Sequence, residues 1–194
     1  MLRKPSCDFG WDWNIAIAPL GLYGRIELRR FDRIRIENVR VHQTHNDDGS
    51  VDVMVDIELK GRPSGLVPYE IRFGDQTKMS VEENDAELQS HLSHFHIEKP
   101  DLWWPAGSGA QPLYELYIRC GEDERKLKVG LRQIDLNTDK DASGSRFAFR
   151  VNGKDIYSRG SNWIPADALP SAATPELTEK LLQAAVDSNQ NMIR

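Results

Sequence analysis

Apolar and polar residues alternate along much of this chain, and the clearest case is VDVMVDIELK at residues 51–60. Val51, Val53, Val55, Ile57 and Leu59 share one side of an extended segment, and Asp52, Met54, Asp56, Glu58 and Lys60 share the other, so the pattern predicts a strand with one buried face. Upstream, RIRIENVRVHQ alternates through Ile34, Ile36, Val39 and Val41, with a phase slip at Glu37 and Asn38 that a β-bulge would repair. HNDDGS between the two segments supplies residues that tolerate positive φ, which predicts a hairpin loop and an antiparallel pair.

Further strands are expected at YEIRFG, near KMSVEE, and at SHFHIEK, PLYELYIRC and RKLKVGLRQIDL. Tyr114, Leu116, Ile118 and Cys120 would line an inner face in one late strand, and Leu127, Val129 and Leu131 in the next. Roughly seven short strands in about a hundred residues predict a mainly β chain built on an immunoglobulin-like β-sandwich.

After NTDKDASGS, a polar stretch that reads as a loop or domain joint, the pattern changes. FAFRVNGKDIYSRGSN is a hairpin turning at Asn152-Gly153, a type I′ signal. Thr174 as N-cap and Pro175 at the first helical position open a helix. Leu177, Leu181, Ala184 and Ala185 recur along it, and Ser188 and Asn189 end it. NMIR then starts an apolar strand. A strand-helix-strand pattern needs further neighbours to cover both faces. Residues 1–30 hold barely one or two strands, too few for an independent sheet. The expectation is an excised piece: one complete sandwich between two fragments.

In DFGWDWN at residues 8–14, Phe9, Trp11, Trp13 and Ile15 alternate with Asp8, Gly10, Asp12 and Asn14. Two readings of Asp12 stand side by side: a polar position on the wet face of a core strand, or a sugar ligand.

The 194 residues are 39% hydrophobic and 28% charged, with a formal charge of −5. That balance argues against a sequence-independent grip on nucleic acid, which needs a basic excess to release counterions. No run of about 18 apolar residues spans a membrane. Two cysteines, Cys7 and Cys120, do not make a disulfide framework, so a reducing, cytoplasmic setting is the default.

Candidate chemistry is sparse. His91, His94 and His96 resemble a metal cluster, but His94 and His96 share a strand face with nothing nearby to complete a site. Glu82 with Glu83, and Asp47 with Asp48, point apart or sit in turns and do not form a positioned acid/base pair. Gly107–Gly109 lacks the strand and helix of a phosphate loop, and no nucleophile elbow occurs. In PDLWWPAGSG, either one tryptophan is core and the other seals a neighbouring domain, or both are core.

RKPSCDFGWDWN, PDLWWPAGSGAQPLYEL, VGLRQIDL, FAFRVNGKDIYSRGSNWIPAD and NQNMIR fall in the order seen in glycoside hydrolase family 2, and this tryptophan-rich set resembles its β-mannosidases. The sequence departs from the usual pattern at Asn14, where many relatives have glycine. The resemblance implies a jelly-roll tail over residues 1–30 and the immunoglobulin-like sandwich over 31–136. A linker with the first hairpin and β-α-β part of a (β/α)₈ barrel would follow over 137–194, packing with the sandwich against the parent's other domains. It further implies a retaining exo-glycosidase whose two glutamates lie on later barrel strands, beyond Arg194, so that no catalytic residue, metal site or cofactor is expected here. Four residues would bind the β-mannoside oligosaccharide: Asp12 from a jelly-roll loop, Asn162 and Trp163 after the first barrel strand, and Arg194 at the end of the second. Asn162 satisfying backbone groups and Arg194 pairing with a barrel carboxylate are the simpler alternatives. A stand-alone immunoglobulin-like carbohydrate-binding or interaction module is the rival from another class.

Overall fold

The computed structural model describes residues 6–17, 21, 22, 24–31, 33–61, 65–83 and 88–194. The chain is mainly β and divides into two compact units: Arg30–Tyr157, and Met1–Arg29 together with Ser158–Arg194.

The first unit holds seven long strands: β1 (Ile34–His45), β2 (Val51–Gly61), β3 (Leu66–Phe73), β4 (Gln76–Glu83), β5 (Leu88–Ile97), β6 (Tyr114–Cys120) and β7 (Asp123–Val129). They form two antiparallel sheets, ordered β1-β2-β5 and β4-β3-β6-β7, whose apolar faces build one core. The inward side chains of β2 named above are all buried, and each such burial contributes roughly 1.5–3 kcal/mol relative to exposure. β1 pairs with β2 through a register shift between Ile36 and Asn38, the bulge the phase slip requires. The loop between them closes through Asn46 N–H to the Ser50 carbonyl at 2.9 Å, with Gly49 at φ +88°.

Leu116, Ile118 and Cys120 are buried, and Tyr114 packs against the core from its edge. The segment RKLKVGLRQIDL, expected as one strand, is broken after Val129. Trp103 lies against Gly130, and the Trp103 N–H donates to the Leu131 carbonyl at 2.9 Å, so the chain turns out of the sheet there. Leu131 is buried, whereas Leu127 is 38% exposed. Trp103 and Trp104 are both half-buried and neither joins the core cluster; Arg132 stands over the ring of Trp103 and Lys154 over that of Trp104.

Beyond the break come β8 (Ile134–Asn137), β9 (Lys140–Asp141), β10 (Gly144–Ser145), β11 (Ala148–Val151) and β12 (Lys154–Ile156). β9 and β10 pair with each other, and β8, β11 and β12 form a sheet ordered β12-β11-β8. Asn152 and Gly153 have φ of +48° and +78°, as a type I′ turn demands.

The second unit contains β13 (Gly160–Ser161), a short 3₁₀ turn (Pro170–Ala172), α1 (Pro175–Asp187) and β14 (Met192–Ile193), with β13 and β14 parallel. The α1 N-cap is Thr174, whose hydroxyl accepts the Leu177 N–H at 3.2 Å. No residue of α1 is buried, including its apolar positions.

Also in this unit, DFGWDWN does not form the strand its alternation suggests. Ser6–Phe9 is a 3₁₀ turn, and Trp11 and Asn14 bridge each other through N–H to carbonyl bonds of 3.0 and 3.3 Å, so Asp12 and Trp13 occupy the tip of a tight turn. Gly10, at φ +113°, breaks the extended run. The Asn14 amide then ties the turn back to the Cys7 carbonyl at 3.2 Å and the Asp8 carboxylate at 3.3 Å, local bonds that compete with a ladder. No named strand forms among the described residues ahead of Ile34. The first residues of the RKPSC stretch lie outside the described residues.

Candidate carbohydrate-binding site

The pairing of β13 with β14 carries the chain past each strand end in step. Arg194 N–H donates to the Ser161 carbonyl at 3.1 Å, and Trp163 N–H donates to the Arg194 carbonyl at 2.7 Å. This brings three of the four candidate residues to the carboxyl ends of two adjacent parallel strands. The Arg194 guanidinium donates to Oδ1 of Asn162 at 2.8 Å, which fixes one of its five donors and leaves others to point at acceptors. With its oxygen engaged, Asn162 offers its amide N–H groups. Trp163 is half-buried and lines a cavity of about 400 Å³ with Pro165, Asp167, Leu182 and Ile193.

Asp12 is exposed in the same compact unit, between Trp11 and Trp13 on the turn. Trp11 is 63% exposed and Trp13 38%, so the aspartate is flanked by aromatic surface instead of being set over a core strand. Among the described residues no hydrogen bond or ion pair joins Asp12 to Asn162, Trp163 or Arg194. A carboxylate, a guanidinium and a carboxamide are the groups that bond sugar hydroxyls, and the charged ones make the stronger bonds. Trp163 adds an apolar face.

The Ser161 hydroxyl donates to Oε1 of Gln190 at 3.0 Å and links the two strands through side chains, a contact that no motif marks. Its only trace was the polar composition of NQN ahead of an apolar strand. Asp167, which lines the cavity, accepts the Leu169 N–H at 2.8 Å in a local turn.

The histidines separate. His91 faces inward, stacked on Tyr69 at 4.4 Å, with Nδ1 2.9 Å from Glu82 and Nε2 3.1 Å from Ser93 Oγ. His94 and His96 face outward, and His96 Nδ1 meets Asp52 at 2.7 Å. Alternation along β5 sends them to opposite faces. His91 is thus buried in the sandwich, at 8% exposure, a placement that no local pattern marks.

Residues 34–132 match the family described as Glycosyl hydrolases family 2, and the chain belongs to that family. Over its whole length it is 30% identical to β-mannosidase B of Aspergillus niger and 27% identical to the β-mannosidase of Rattus norvegicus. It spans 24% of each of those proteins, about a quarter of their length. The crystal structure of the β-D-mannosidase from Dictyoglomus thermophilum matches with a TM-score of 0.94 and 26% identity, over 99% of this chain and 25% of that one. The exo-chitosanase CsxA of Amycolatopsis orientalis, 21% identical, shares the fold, with a TM-score of 0.69 over 86% of this chain and 20% of the other.

Proposed function

We propose that residues 1–194 are a non-catalytic segment of a retaining exo-β-mannosidase that removes terminal β-linked mannose from oligosaccharides. In this reading residues 31–136 are an immunoglobulin-like sandwich, 137–194 a linker and the opening of a (β/α)₈ barrel, and 1–30 the tail of a jelly-roll domain. The acid and the nucleophile, two carboxyl groups about 5 Å apart in retaining enzymes, come from outside this segment. Arg194, Asn162, Trp163 and Asp12 hold the terminal sugar. The unpaired cysteines suit a reducing, cytoplasmic compartment, and among the described residues no helix is long and apolar enough to cross a membrane.

The observation that carries the reading is the Arg194–Asn162 pair beside Trp163 at the ends of β13 and β14. Barrel enzymes assemble their sites at that end of the strands. The test is kinetic, in the full-length glycosidase with an aryl β-mannoside. Asp12→Ala and Arg194→Met should each lower kcat/KM by about 100-fold, corresponding to charge-assisted bonds worth roughly 1.5–3 kcal/mol. Wild-type values for both would remove these residues from the sugar site.

A further inference from the structure

We infer that Asn191 is the positioning residue that sets the register of β14 against β13 and thereby holds Arg194 against Asn162; for its effect on catalysis this rests on the sugar-site reading above. The β13–β14 ladder sets Gly160 opposite Met192 and Ser161 opposite Ile193. Parallel ladders carry evenly spaced bonds, which do not by themselves prefer one register over the next. A slip of one residue would turn Arg194 to the opposite face of the strand.

Asn191 supplies what the ladder lacks. Its Oδ1 accepts the Arg159 N–H at 2.8 Å, while its own N–H donates to the Arg159 carbonyl at 2.8 Å. The Met192 N–H reaches the same carbonyl at 3.2 Å. Both backbone groups of Arg159 are thus held by one residue, immediately before the ladder begins.

The preceding chain delivers Asn191 to this point. Asn189 adopts φ +61° just past α1, with its N–H donating to the Val186 carbonyl at 2.8 Å and the Gln190 N–H to the Ala185 carbonyl at 2.9 Å. That is the two-bond closure of a Schellman motif with asparagine in the left-handed position. Gly160 permits the approach on the other strand, because a Cβ there would run into the Met192 carbonyl.

The experiment uses the full-length protein and compares Asn191→Leu, which removes the acceptor at similar volume, with Asn191→Asp, which keeps it. Hydrogen exchange at the Trp163 and Arg194 amides is the first readout. N191L should lower their protection by about tenfold or more relative to the amides of β2, and N191D should keep it within about threefold of wild type. Kinetics on an aryl β-mannoside are the second readout. N191L should lose about 10–100-fold in kcat/KM, carried by kcat with KM nearly unchanged, and N191D should restore it. Should N191L not accumulate folded, Asn191→Ser, whose hydroxyl is too short to reach Arg159, takes its place. Wild-type exchange at Trp163 and Arg194 in the acceptor-less variant overturns the register role. Wild-type kcat/KM in Arg194→Met would instead overturn the sugar-site reading, and the exchange result would still decide the register.

Discussion

Asp123 accepts the backbone N–H of Ile36 at 2.8 Å across 87 residues of sequence, joining the first strand of one sheet to the last strand of the other. Ile36 borders the β1 bulge, where the ladder to β2 is interrupted. Arg125 completes the junction, donating to the Ile36 carbonyl at 3.0 Å and to Asp123 at 2.8 Å. Polar groups that the bulge frees at a residue only 2% exposed are satisfied by the opposing sheet.

Asp123→Ala should therefore destabilise the fold by about 1–3 kcal/mol, because it strands a buried N–H. Asp123→Asn, which keeps an acceptor, should lose less. Urea unfolding midpoints measure both, and an unchanged midpoint for the alanine variant would show that the junction carries no weight.

Asn152 combines a backbone role with a side-chain role. It occupies the positive-φ turn, its Oδ1 accepts the Gln133 N–H at 3.0 Å, and its amide donates to the Trp103 carbonyl at 3.0 Å. Asn152→Ala should cost about 1–3 kcal/mol through lost bonds and left-handed strain. Asn152→Gly relieves the strain alone and should fall between alanine and wild type in thermal unfolding. Equality of glycine and wild type would leave the two side-chain bonds without effect.

The exposed His96–Asp52 pair gives a pH signature. The hydrogen bond to Asp52 raises the His96 pKa above its ordinary value of 6.5. Asp52 is held below its ordinary value, first by the Asn46 amide at 2.8 Å and then by His96. The histidine contribution is fully present below the unfolded value and is lost as pH rises through the higher folded value. The aspartate contribution is present above its unfolded value and is lost as pH falls through the lower folded one. Both groups face water, so each contribution is small and screened by salt. An imidazole NMR titration should place the His96 midpoint above that of an unfolded histidine, and Asp52→Asn should bring it back; an unmoved midpoint would contradict the pairing.

The two thiols should differ in reactivity. Burial, with the charges of Asp123 and Glu82 adding to it, pushes the Cys120 thiol up to about 12, whereas Cys7 is only half-buried. Thiolates are the reacting species. A thiol reagent at neutral pH should label Cys7 in the native protein and reach Cys120 only after unfolding in denaturant. Native labelling of Cys120 would mean that the core opens at β6.

What the sequence could state was what neighbours in the chain decide among themselves. The alternation of β2, the bulge at Glu37, the Asn152-Gly153 turn and the caps of α1 each depend on a few consecutive residues, so local sterics and hydrogen bonding were enough to place them. The same reasoning misplaced DFGWDWN, where alternation imitated a strand while Gly10 and the Asn14 amide folded the segment into turns. It also ran RKLKVGLRQIDL on as one strand, because nothing local announces that Trp103 packs against Gly130.

The candidate site divides in the same way. The chemistry of Asp12, Asn162, Trp163 and Arg194 was visible as residue types within motifs. That Arg194 bonds Asn162, 32 positions away, and that Asn191 clasps Arg159, follow only once a helix has returned the chain beside β13. Periodicity and turn chemistry are set over a few residues, whereas these contacts require segments distant in sequence to meet, and only the tertiary structure decides which of them do.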